Sequence, residues 1–371
     1  MRLGAELPFA AAAALALTTG AHVGASTIRR ATIASGAAAR QLELEFVAEA
    51  EAGTAPTPAA PAAPLQVSVD GSMVPLVGGE WKEVRLATIG VLALDAAGRA
   101  SLGRLSHVAA LASAEAFGRE ALGEVVRRGV DQAAAVVAVG DGAPWIQGFL
   151  DLHCPQARRV LDFAHAAGYL AAAATRAFGP ETEPARAWFA AQRHELRHGD
   201  PDRVLAALVA LPAGEARDTA LRYLGERRPM IAYRAFAAAG WPIGSGCVES
   251  AHKSVVQARL KRSGMHWTPE AVAPMLALRV TLANGRWEET WPTLVRQRRA
   301  ARRHRSAARR RDRRPPAPVA ARPGPPPPPP GEPAPVSAPP RRAPLQNAPP
   351  PADHPWRRPF LRPFPTPATK T

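Results

Sequence analysis

Cysteine is almost missing: Cys154 and Cys247 are the only two in 371 residues. Two distant thiols exclude a disulfide framework and a cysteine-rich zinc module, and they suit a reducing cytoplasm. Aromatic residues are also scarce, at 6%, whereas prolines number 40, so part of the chain has too little apolar bulk to pack a core. No stretch of about 18 or more strongly apolar residues occurs, which argues against a membrane span. The start, Met1-Arg2 followed by Phe9 to Leu17 and then Ala21-His-Val-Gly-Ala25, imitates a signal peptide. Glu6 interrupts its charged region, and nothing downstream resembles a secreted framework.

Acidic residues are few where basic ones crowd. The formal charge is +16, and between Arg296 and Arg314 stand 11 arginines against one Asp312. From Pro315 to Thr371 there are seven basic and two acidic residues, so nearly all of the excess lies after Val295 and the body is close to neutral. The arginine block and the run Pro323 to Pro330 lack apolar periodicity, which predicts a disordered tail over 296–371 with polyproline character. Such a tail would hold DNA phosphates without sequence preference and with steep salt dependence. A GC-rich reading frame that ran past the natural end of its gene would encode the same residues, and both explanations stand.

Along the body, residues 8 to 18 read as an alanine-rich helix ended by Thr19-Gly20, and Ser26-Thr27 cap a second helix from Ile28 to about Ser35. That is helix-turn-helix spacing, with Arg29 and Arg30 where a recognition helix presents side chains to DNA. Ordinary helical hairpins share the pattern. Residues 41 to 51 continue as an acidic helix, and 53–64 form a Pro/Ala linker that separates residues 1–52 from the rest. Leu65 to Asp70 alternates with period two and reads as a strand ending in a turn at Gly71. Trp81 to Leu92 and Ala133 to Val139 read as further strands, the latter ending at Gly140-Asp141-Gly142, with a helix over Ser113 to Arg128 between them. Pro144 to Asp151 is a short helix, Arg158 to Asp162 a strand. The stretch 167–239 is helical throughout, and a last body helix runs from about Thr268 to Asn284, closed by Trp287 and Trp291.

Three blocks carry chemistry: Val67-Ser-Val-Asp70-Gly-Ser-Met-Val, Val139-Gly-Asp141-Gly-Ala-Pro-Trp-Ile, and Ile243-Gly-Ser-Gly-Cys-Val-Glu249-Ser leading to Arg259-Leu-Lys-Arg-Ser-Gly-Met-His-Trp267. Asp-Gly alone makes turns. Three acids, two after apolar strands and one behind a Gly-x-Gly turn, point instead to a shared site. In this order the blocks resemble the ISKra group of bacterial insertion-sequence transposases, relatives of the Mutator-like transposases, over roughly Leu65 to Trp291.

The resemblance implies an RNase H-like mixed sheet flanked by helices over 65–295, with an all-helical insertion at about 167–239. It implies Mg²⁺-dependent DNA cleavage and strand transfer at element ends, in the bacterial cytoplasm near the nucleoid, by a homo-oligomer. Two Mg²⁺ ions, with Mn²⁺ as a substitute, would be held by Asp70, Asp141 and Glu249, Asp70 bridging both. Asp162-Phe-Ala-His165 resembles the family's acidic-x-x-His motif, making His165 a catalytic candidate and Asp162 an accessory one. Lys253, Arg259, Lys261 and Arg262 would grip phosphates, and Trp267 or Trp145 would stack on a base, although tryptophans at such spacing more often build core. Ser245 lacks the surroundings of a hydrolase nucleophile. Relatives carry a longer N-terminal region, and the proline-rich end is unlike them. A truncated or frame-shifted copy that only binds DNA is the rival reading, and an exported Ala/Pro-rich protein a third.

Overall fold

A computed structural model of the chain describes residues 1–56, 58, 63–96 and 100–312. These residues form an α/β fold around one mixed five-stranded sheet of order β3-β2-β1-β4-β5, with β1 (Leu65–Pro75), β2 (Trp81–Leu94), β3 (Ala100–Ala110), β4 (Val136–Gly140) and β5 (Arg158–Leu161). β1, β2 and β3 run as an antiparallel meander, and β4 and β5 add in parallel beyond β1. Parallel neighbours need crossover connections. Helices α4 (Ala114–Arg127) and α5 (Pro144–His153) supply them. Ser113 caps α4 by accepting the Ala116 N–H.

The odd positions of β1, Leu65, Val67 and Val69, pack with Ala87, Ile89, Val136 and Ala138 against Phe117, Ala121, Ile146 and Phe149 of α4 and α5. On the other face two cores form. One joins Val137, Val139 and Val160 to the helical insertion, made of α6 (Phe163–Phe178), α7 (Glu183–His198), α8 (Pro201–Val209), α9 (Glu215–Glu226) and α10 (Tyr233–Ala238). The other joins Val74, Leu76, Val84 and Leu86 to α11 (Gly246–Ala251), a π-helical turn His252–Gln257, α12 (Ala258–Leu260) and α13 (Pro269–Ala283).

Three expectations change. The strand β3 was not foreseen, because Ser101, Gly103, Arg104, Ser106 and His107 give it an edge-strand polarity without clean alternation, and its register shifts near Gly90. After a short α1 (Arg2–Glu6), the expected helical pair is present as α2 (Phe9–Thr18) and α3 (Ala25–Glu51), but α3 is 27 residues long and absorbs the acidic helix as well. The acids of α3 pair with α4, through Arg119–Glu51 and Arg127–Glu43, each at 2.5 Å. Residues 1–52 do not stand apart, since Ala5 and Ala39 lie in the same core as Val272 and Met275 of α13. Finally, the arginine block is helical as far as it is described: α14 (Trp287–Asp312) starts with Trp287 and Trp291 stacked at 5.2 Å and Leu294 buried. The rest of the expected tail, 313–371, and residues 57 and 59–62 of the linker lie outside the described residues.

The contact of α3 with α13 is backbone on backbone at Gly36, where an added Cβ would sit 2.0 Å from the Pro274 carbonyl oxygen. Gly36→Ala forces the helices apart and is expected to cost about 2–3 kcal/mol, in the range of overpacked cores. Gly148→Ala, with nothing within 4 Å of the new carbon on helix α5, is expected to gain about 0.5–1 kcal/mol. Urea unfolding midpoints check both. Equal shifts for the two would show that the helix crossing is not tight.

Candidate active site

The even positions of β1 are polar: Gln66, Ser68, Asp70 and Ser72. Alternation of this kind reads as a solvent face, yet Gln66 and Ser68 are fully buried. The segment 246–260 lies along them. Gln66 Nε2 donates to Cys247 Sγ at 3.4 Å, His252 faces Asp70, and Gln257 Nε2 donates to Ser72 Oγ at 3.3 Å. From His252 to Gln257 a five-residue step on the helix thus matches the two-residue step from Asp70 to Ser72 on the strand. Five helical residues rise about 7.5 Å and two strand residues about 6.7 Å, so the distances agree. The facing also agrees, because a π-helical turn bonds i to i+5 and returns residues five apart to one side.

Asp70 is not at a strand end. β1 continues through Asp70↔Leu86 and Gly71↔Arg85 to Pro75, and the turn lies at Gly78 and Gly79, both at positive φ. Gly71 is small because Glu83 lies over it: a Cβ there would be 2.1 Å from Glu83 Oε1. Asp141 does follow the end of β4. The ladder pairs Val67 with Ala138, and three residues further on, past the end of β4, the same offset brings Asp70 to the side of Asp141, close enough for Asp141 to raise the Asp70 pKa. Glu249 lies in the first turn of α11, exposed, after Ser245.

The three carboxylates share one field. Burial pushes the Asp70 carboxyl up to about 6, with Asp141 and Glu249 adding to the rise and the Gly71 N–H opposing it. Asp70 Oδ1 accepts from Gly71 N at 2.7 Å, and Asp141 Oδ1 from Ala143 N at 2.8 Å. Among the described residues neither Asp141 nor Glu249 has an ion pair with lysine or arginine, and Arg85, on the strand beside Asp70, is committed to Glu83 at 2.7 Å. This donor set suits a hard divalent cation. Among the described residues no three His, Cys, Asp or Glu side chains are gathered into a ready metal cage. Magnesium held by one or two carboxylates, its own waters and substrate phosphates requires none.

His165 is exposed on the first turn of α6, its ring 5.6 Å from that of Tyr169 and 5.8 Å from that of Tyr223. Tyr223, which no motif singles out, donates its hydroxyl to the Asp141 carbonyl oxygen, and burial pushes its phenol up, so it stays a donor. Arg227 packs on the Tyr223 ring and bonds the Gly142 carbonyl at 3.0 Å. Asp162 does not face the carboxylates. It is buried, caps α6 through the His165 N–H at 2.8 Å, and accepts from both Ser245 N and Ser245 Oγ, at 2.8 and 3.0 Å. Its role is to pin the Gly244-Ser245-Gly246 turn that aims Glu249.

The basic set divides. Lys253, Lys261 and Arg262 are exposed, with Lys261 5.5 Å over the Trp81 ring. Arg259 is no phosphate grip: at 1% exposure it lies between the Phe9 and Trp267 rings and donates to the Gly4 carbonyl at 3.2 Å. Burial, with Arg279 and Arg262 nearby, lowers its pKa to about 10. Trp267 is core rather than a stacking platform, 6% exposed and edge-on to Phe9 at 6.2 Å, and Trp145 packs edge-on to Phe117 at 6.2 Å. Arg29 and Arg30 remain exposed on α3. No helix among the described residues is long and apolar enough to cross a membrane. No known family's model and no curated protein matches the chain.

Because the folded pKa of Asp70 lies above its ordinary 3.8, its favourable contribution is complete below about 3.8 and is lost as pH rises through about 6. With chelator present, Asp70→Asn is expected to stabilise the protein at pH 7.5 by on the order of 1 kcal/mol, a figure discounted for a side chain 38% exposed. The gain should shrink at pH 4.5. Denaturation midpoints equal to wild type at both pH values would remove Asp70 from the shared field.

Proposed function

We propose that the chain is a DNA transposase that cleaves and joins DNA strands with the help of Mg²⁺, built on an RNase H-like core. The observation that carries this reading is Asp70 on β1 beside Asp141, which follows the end of the parallel neighbour β4, with Asp141 and Glu249 both near enough to raise the Asp70 pKa. The mixed strand order and the helical insertion between Asp141 and Glu249 are what the resemblance of the three sequence blocks implies for the core.

Asp70, Asp141 and Glu249 would hold the cation, which when bound supplies charge stabilisation to the attacking and leaving oxygens of an in-line displacement at phosphorus. The chain contributes alignment. Each aspartate has one oxygen fixed by a main-chain N–H, which leaves its second oxygen for a ligand. Exposed Lys253, Lys261 and Arg262 follow Glu249 along the same segment and would position the phosphates of the strand without reading bases. His165, exposed beside the Asp141 loop, would contact the phosphate being cut.

Asp141→Asn keeps the acceptor for the Ala143 N–H and removes only charge. It is expected to abolish Mg²⁺-dependent nicking of element-end DNA, by at least about 10³-fold, a loss of the size seen when a key charge-stabilising group is removed, while DNA affinity is retained. Undiminished cutting excludes the carboxylate site; binding without cutting by wild type too identifies the silent remnant. On α14, exposed Arg299, Arg302 and Arg303 offer a second check. Their replacement by glutamine should lower the slope of log affinity against log salt by about 2–3, at about 0.9 per lost phosphate contact. Fluorescence anisotropy across a salt series measures it, and an unchanged slope shows that these arginines do not touch DNA.

A further inference from the structure

His252 stands at the head of the π-helical turn, three residues after Glu249, with 3% of its surface exposed. Neither ring nitrogen makes a well-formed hydrogen bond, although both are buried, and the Asp70 main chain is a polar group that lies against the ring. A buried imidazole that leaves its N–H unmade forfeits about 1–3 kcal/mol, so its retention against β1 calls for a use. Its Nε2 points at Asp70 Oδ2 from 3.6 Å, beyond hydrogen-bond range by less than an ångström. The other oxygen of that carboxylate is already held by the Gly71 N–H.

The backbone that places the ring is itself braced. A π-helical turn is an interruption of the regular hydrogen-bond ladder and is frequently found at functional sites. Here Arg279 of α13 reaches across to it, donating Nε to the Val255 carbonyl at 3.1 Å and a terminal nitrogen to the Ser254 carbonyl. The same turn buries His252, Val255 and Val256 while it exposes Lys253 and Ser254. An uninterrupted α-helix would rotate position 257 away from Ser72 if 252 faced Asp70.

We propose that His252 is a positioning residue for the carboxylate site: in its Nε2–H form it closes onto Asp70 Oδ2 and fixes the orientation in which Asp70 meets the cation. The inference rests on the carboxylate-site reading above and adds a residue to it. Neutral imidazole has a single N–H, and the hydrogen bond its partner accepts decides which nitrogen carries it. Ligand carboxylates are commonly held this way, and loss of such a partner lowers metal affinity by about 10–100-fold.

Two measurements test it on the full chain. Mn²⁺ binding, followed by electron paramagnetic resonance, should weaken by about 10-fold or more in His252→Leu, while His252→Gln, which keeps a side-chain N–H at similar reach, should stay within about 3-fold of wild type, both variants having thermal midpoints within a few degrees of wild type. Imidazole ¹⁵N shifts of the metal-free wild type should show His252 as the Nε2–H tautomer, a readout independent of activity and of variant folding. Mn²⁺ binding that His252→Leu leaves intact, equal losses in the two variants, or an Nδ1–H tautomer each overturns the inference while the carboxylate site stands. Absence of Mn²⁺ binding by wild type, with Asp141→Asn indistinguishable from it, overturns both.

Discussion

Two like charges on neighbouring parallel strands are the constraint from which the rest of this structure follows. The pairing of Val67 with Ala138, three residues before each acid, commits Asp70 to the side of Asp141. A slip of one residue would release the repulsion, but it would also turn Leu65, Val67 and Val69 out of the core they share with α4 and α5. Apolar packing therefore holds the acids together against their electrostatics. The strain is met locally in two ways: main-chain N–H groups bind one oxygen of each aspartate, and Asp70 keeps its proton up to about pH 6. A cation would meet it more fully, and that is the physical reason for reading the pair as a ligand set and not as two turns.

The segment 246–260 extends the same logic to the third acid. A buried polar seam on β1 needs partners of matched spacing, and the π-helical turn supplies them by keeping His252 and Gln257 over Asp70 and Ser72. Its broken carbonyl ladder is satisfied by Arg279, whose charge, like that of Arg259, is buried at a cost in solvation. Two arginines in the interior thus serve carbonyls of irregular backbone: Arg279 those of the turn, Arg259 that of Gly4. Glu249 is carried on the front of this assembly, so its place depends on a core built from α1, α3 and α13.

The alternation of β1 and the apolar runs of β2, β4 and β5 were legible because each has an apolar face that only a sheet can bury. The three acids were picked out from their blocks, and the fold brings Asp141 and Glu249 within electrostatic reach of Asp70. What misled was local chemistry with two meanings. Asp70-Gly71 spells a turn, but the glycine answers to Glu83 lying across it. Gly20 and Ser26-Thr27 spell a hairpin with a capped second helix, whereas α3 runs through Gly36 because a helix from 240 residues away needs that gap. Arg259 sits in a basic run that spells a phosphate surface, and only the tertiary fold brings Phe9, Trp267 and the Gly4 carbonyl around it. Nothing within the sequence near Tyr223 or His252 announces their neighbours, since these contacts join segments far apart in the chain.

The helical insertion does more than separate Asp141 from Glu249. Its entry is fixed by Asp162, which ties the start of α6 to the turn before Glu249, and its last long helix is fixed by Tyr223 and Arg227, which hold the carbonyls of Asp141 and Gly142. Main-chain atoms adjoining two of the three acids are therefore anchored to one helical body with its own core. Anchoring through carbonyls and a capping carboxylate leaves the ligand oxygens unspent, so the insertion constrains where Asp141 and Glu249 stand without competing for what they bind. Asp70, fixed by the sheet, is the one acid outside its reach. That division leaves Asp70 placed by the sheet while Asp141 and Glu249 are tied through neighbouring main chain to the insertion, and the acids perturb one another without being gathered, among the described residues, into a closed cage.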